Sequence, residues 1–158
     1  MKLPDLKAQL LTSLTWEGAH ASLETAVDGL TPEMAGIKEK SFPYTIWQLL
    51  EHLRITQKDI IDFCMQEVYQ ARNWPDDYWP KTRAPESEQD LLHTIKSVKK
   101  DLADFSKFIK NPELDLLAKV PNGKDQTFLR EVILVIDHNA YHTGQIILLR
   151  KMTGNWPF

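Results

Sequence analysis

The chain contains a single cysteine, Cys64, which excludes an intrachain disulfide and any zinc site built from thiolates. No stretch is long and apolar enough to read as a membrane span, and the N-terminal Met1-Lys-Leu-Pro-Asp-Leu6 carries charges where a secretory signal would have its apolar core. A cytoplasmic location without membrane association is therefore expected. Neither sign of charge prevails: 19 basic residues stand against 22 acidic ones with no basic cluster, which argues against nucleic-acid binding. The six glycines form neither a G-x-x-x-x-G-K-S/T nor a G-x-G-x-x-G loop, so nucleotide binding by those devices is excluded. Credible strands are missing as well.

What the sequence does have is helical periodicity, in four segments near residues 5–28, 44–69, 86–110 and 127–152. The first carries Leu6, Leu10, Leu14 and Ala21 and stops at Gly29. The second carries Ile46, Leu49, Leu50, Leu53, Ile60, Ile61 and Val68, and the third Leu91, Leu92, Ile95, Val98, Leu102, Phe105 and Ile109. Between the first two, prolines and a glycine leave room for one helical turn. Asn73-Trp-Pro-Asp-Asp-Tyr-Trp-Pro80 predicts a loop packed by its aromatics and suited to wall a pocket. In the tail, Trp156 is expected to fold back. At 158 residues the chain reads as one domain, an all-α four-helix bundle with long connecting loops.

The fourth segment carries the chemistry. His138 and His142 are four residues apart, which on a helix places their Cβ atoms about 5–6 Å apart, near enough to bind one metal ion. A helical projection groups Leu134, Val135, His138, His142, Gln145 and Leu149 in one inward sector. Phe128, Val132, Ile136, Ala140, Thr143, Ile146 and Ile147 fill a second, leaving a wet strip around Arg130, Asp137, Tyr141 and Lys151. On the second segment His52 shares a polar row with Gln48, Thr56 and Asp59; alone, it reads as a hydrogen-bonded histidine at the core edge. His20 and His93 read as surface residues, and Cys64 as a buried, inert thiol.

Together, Phe42-Pro-Tyr-Thr-Ile-Trp-Gln-Leu-Leu-Glu-His-Leu53, Gln126-Thr-Phe-Leu-Arg-Glu131 and Asp137-His-Asn-Ala-Tyr-His-Thr-Gly-Gln-Ile146 resemble the DinB superfamily of metal-binding four-helix bundles over nearly the whole chain. The resemblance implies a divalent metal held by His52, His138 and His142, with water in the remaining positions. It also implies a homodimer and, from superfamily members that use bacillithiol or mycothiol, a thiol-dependent enzyme acting on an electrophilic small molecule. Zinc or nickel is the leading choice of metal, with iron or manganese next, since imidazole itself selects weakly among them. Gln48, Asp59, Glu131 and Gln145 are candidates for orienting the histidines or a bound water. A water-activating hydrolase and a non-enzymatic, metal-stabilised stress-response or interaction domain are the alternatives.

Overall fold

The computed structural model describes residues 3–15 and 19–157. Six α-helices occur there: α1 (Leu3–Thr15), α2 (Leu23–Val27), α3 (Pro32–Gly36), α4 (Ile46–Met65), α5 (Glu88–Lys110) and α6 (Phe128–Met152). The four long ones, α1, α4, α5 and α6, pack together as a bundle. Among the described residues there is no strand, only an isolated antiparallel bridge between Lys119 and Thr127, and no helix long and apolar enough to cross a membrane.

Side-chain caps start most of these helices. Ser22, Thr31, Ser87 and Thr127 each accept from the backbone N–H three residues on, satisfying a donor that the first turn leaves free. Thr45 and Gln48 form a reciprocal capping box at the start of α4, with bonds of 3.2 and 3.1 Å.

Two boundaries differ from expectation. A single helix over residues 5–28 is not formed: α1 ends at Thr15 and α2 begins after Ser22, with residues 16–18 outside the described residues. Continuing α1 would put Gly18 mid-helix, at a cost of about 1 kcal/mol. The Thr12 and Ser13 hydroxyls already bond back to Ala8 and Gln9 carbonyls, a habit that weakens helices, and Ser22 offers a capped fresh start. The second helix stops at Met65 rather than residue 69, so Val68 is 76% exposed. Asn122 supplies the stop by donating to the carbonyls of Phe63 and Gln66.

Two apolar clusters form the core. One gathers Leu10, Leu14, Ile61, Phe105, Ile109 and Val132; the other gathers Ala26, Ile46, Leu49, Leu50, Ile146 and Leu149. The expected wet strip of α6 is exposed, but Ile133 and Leu148 are exposed beside it. Buried Arg150 donates to the carbonyls of Ala26 and Asp28 at 2.9 and 2.8 Å and to that of Asn155, tying α2 and the tail to α6. Trp156 does fold back, its ring centroid 5.5 Å from the Arg150 guanidinium.

Candidate metal centre

Helix α4 packs more extensively on α6 than on any other helix, and this contact brings His52 to His138 and His142. The His52 and His138 Nε2 atoms are 3.3 Å apart, and one ligand atom from each of the three rings lies within 4.8 Å of the others. His52 and His142 are buried and His138 is half-buried. His20 is exposed, with Nδ1 2.9 Å from the Ala21 carbonyl, and exposed His93 lies beside Ser97; neither joins the cluster.

Outward partners set how the rings face. His52 Nδ1 donates to the Tyr78 carbonyl at 2.8 Å, and because a carbonyl only accepts, Nε2 is left with its lone pair toward the other rings. His142 Nδ1 donates likewise to Gln145 Oε1 at 2.7 Å. Burial disfavours the charged rings: it lowers the pKa of His52 and, with repulsion among the rings added, brings His138 and His142 down to about 4. At neutral pH the cluster is therefore a set of uncharged imidazoles, in which His138 Nε2–H donates to the lone pair of His52 Nε2 at 3.3 Å, a proton that a bound ion would replace. Such a donor set fits a divalent ion of borderline softness. Among the described residues no cysteine, aspartate or glutamate joins it as a fourth ligand.

The loop between α4 and α5 completes the wall. Trp79 stacks on His52 at 4.0 Å between ring centroids, and Tyr44 stacks on Trp79 at 4.1 Å. The loop is fixed to α4 by Tyr78 and Tyr69, whose hydroxyls donate to the two Asp59 oxygens at 2.7 and 2.9 Å. Thr45 donates to the Arg83 carbonyl and the Trp47 indole to Thr82, pinning its far end. Tyr78 and Trp79 thus pack the loop as expected, whereas Trp74 is 73% exposed.

The four orienting candidates separate. Gln145 touches His142 directly. Asp59 acts through the loop that carries Tyr78, and Gln48 is spent in the capping box. Glu131 is 1% exposed, takes a bond from Arg130 at 2.6 Å and, after burial, helps raise the pKa of the Cys64 thiol. The Tyr78 carbonyl, a backbone atom, leaves no trace in the sequence, whereas the crowd of aromatics around Trp79 is a legible hint of a wall. A cavity of about 620 Å³ lies across α6, lined by Leu23, Ile95, Val98, Asn139 and Thr143 among others, and none of the three histidines lines it.

No curated protein matches the chain. Residues 15–146 match the DinB superfamily, a span that includes the aromatic loop and all three histidines. A match of that extent, on a helical bundle whose three histidines meet, makes the chain a member of the DinB superfamily.

Proposed function

We propose that His52, His138 and His142 hold one divalent metal ion, zinc or nickel, and that the protein is a metal-dependent enzyme transferring a low-molecular-weight thiol to an electrophile. The observation that carries this reading is a cluster of three neutral imidazoles without a fourth protein ligand among the described residues, since structural zinc sites are normally closed by four. A bound ion would supply a Lewis acid able to bring a thiol, ordinarily protonated at pH 7 with a pKa of about 8.5, to its nucleophilic form.

The chain's own residues set the conditions for that chemistry. Uncharged ligands leave the full positive charge at the site, where carboxylates or thiolates would offset it. The Tyr78 carbonyl and Gln145 hold two rings in the ligating tautomer, and Trp79 shields one face of His52 from water. The internal thiol is a poor nucleophile, because Cys64 is 2% exposed and burial pushes its pKa up to about 12. The attacking sulfur must then come from outside.

The test uses tag-free protein, elemental analysis, and a panel of small thiols offered with an alkylating fluorophore. One ion per chain is expected, with conjugation lost on chelation and restored by added metal. His142→Ala should lose the ion on dialysis, while Cys64→Ser keeps its activity. Failure of every thiol, with an ester or amide cleaved under the same metal dependence, would replace thiol activation by water activation. Loss of turnover in Cys64→Ser with fold and metal intact would show that the thiol is internal.

A further inference from the structure

Among the described residues, Thr56 Oγ1, His138 Nδ1 and Asn139 Oδ1 are buried side-chain polar atoms without a hydrogen bond. Folded cores leave few such atoms, and each needs a physical reason. Two of these belong to consecutive residues of α6, and they are complementary in kind. An amide oxygen only accepts, and an imidazole Nδ1 donates whenever the ring carries its proton there.

The direction in which Asn139 presents its oxygen is fixed from a distance. The Val98 carbonyl on α5 only accepts, so Gln57, fully buried on α4, must turn Nε2 to it, at 3.0 Å. That leaves Gln57 Oε1 as an acceptor, and Asn139 must answer with Nδ2, at 2.8 Å. Oδ1 is then left over for another donor. His52 and His142 already have acceptors for Nδ1, in the Tyr78 carbonyl and Gln145. Only His138 lacks one.

We infer that Asn139 and Gln57 are positioning residues for His138: with an ion on Nε2, the ring proton is confined to Nδ1 and donates to Asn139 Oδ1, pairing both orphaned atoms. The inference rests on the metal reading above and extends it. It brings α5 into the site without a ligand of its own, through Val98, Gln57 and Asn139 in series. Outer partners of ligating histidines typically change metal affinity by about 10–100-fold when removed.

The experiment is a Co²⁺ titration of the full chain, with the metal alone as probe, on wild type, Asn139→Ala and Gln57→Met, each also in a His138→Ala background. Asn139→Ala should weaken binding about 10–100-fold, and Gln57→Met, which frees Asn139 without removing its oxygen, about tenfold. In the His138→Ala background both substitutions should change nothing further, an outcome that general loosening of the core would not give. In nitrogen-resolved NMR spectra of the Zn²⁺-loaded protein, three protected ring Nδ1–H signals are expected in wild type and two in Asn139→Ala. Should Asn139→Ala not fold, Gln57→Met carries the same test. Wild-type affinity in either folded variant, or a third protected ring signal in Asn139→Ala, would overturn the inference alone. A wild type that takes up no Co²⁺ would overturn it together with the metal reading.

Discussion

Acidifying the metal-free protein should unfold it through the histidines before the carboxylates respond. Burial holds the His138 and His142 rings down to about 4, against about 6.5 for an imidazole in the unfolded chain. Between those values the unfolded chain binds more protons, so stability falls as pH falls, starting near 6.5 and ending near 4. Each ring alone would account for about 2 kcal/mol lost by pH 5 relative to pH 8. Part of each depression comes from the neighbouring rings, and water screens the half-buried His138, so the pair should lose roughly 3 kcal/mol rather than the full sum. The Glu51 carboxyl, which burial raises but bonds from Arg54 and Thr94 lower overall, gives up its contribution only below the ordinary carboxylate range. Burial raises the Asp101 carboxyl, which works in the opposite direction. The window from pH 7.5 to 5 therefore belongs to the histidines. Urea unfolding of chelator-treated protein at four pH values across it measures the effect, and His142→Gln, which cannot titrate, should remove about half of the slope. Equal stability at pH 7.5 and pH 5 would refute the claim that the rings are held neutral.

Other expectations concern single side chains. Cys64 should resist a disulfide reagent at pH 8 while the protein is folded and react at once in denaturant, since a thiol pushed up to about 12 is thiolate in only about one molecule in ten thousand; rapid labelling of the folded chain would show the sulfur to be accessible. Arg150→Met should cost about 2–4 kcal/mol by denaturant titration, because it strands the carbonyls of Ala26 and Asp28; a loss under about 0.5 kcal/mol would mean that water replaces it. Trp79→Leu should weaken Zn²⁺ binding by no more than about tenfold, the worth of one aromatic stack. A loss beyond about a hundredfold would give Trp79 a larger part than stacking.

The legible parts of this molecule are those in which side-chain type and local period carry the information. Three of the four long helices follow from apolar spacing, and the His138 and His142 pair from its four-residue step. Gln145 is legible too, one turn beyond His142 on the same stripe. The separation of α1 from α2 is harder, because Leu6 to Ala21 keeps the helical period and only Gly18 and Ser22 speak against continuation. Gln48 shares a stripe with His52 and so reads as a partner of the site, although Thr45-x-x-Gln48 also spells the capping box that the structure forms. Beyond reach are contacts made by the backbone: the acceptor for His52 is the carbonyl of residue 78, which any amino acid there would supply. Gln57 and Asn139 look like ordinary polar residues until α4, α5 and α6 are brought together.

His52 and His138 stand 86 residues apart in the chain, yet their ring nitrogens nearly touch. An ion joining them would be a cross-link over a long loop, comparable in topology to a disulfide. Closing a loop of that size in a free chain costs on the order of 4–5 kcal/mol, and here the packing of Leu49 and Leu50 on Ile146 and Leu149 has met that cost before any ion arrives. An unfolded chain keeps only the local pair, four residues apart and no longer held by a helix, so its grip on metal should be weak. The consequence is kinetic as well as thermodynamic. A contact between segments so remote forms only once α4 and α6 have docked, so metal should slow unfolding and leave the folding rate nearly unchanged, a difference that the two arms of a denaturant chevron would separate.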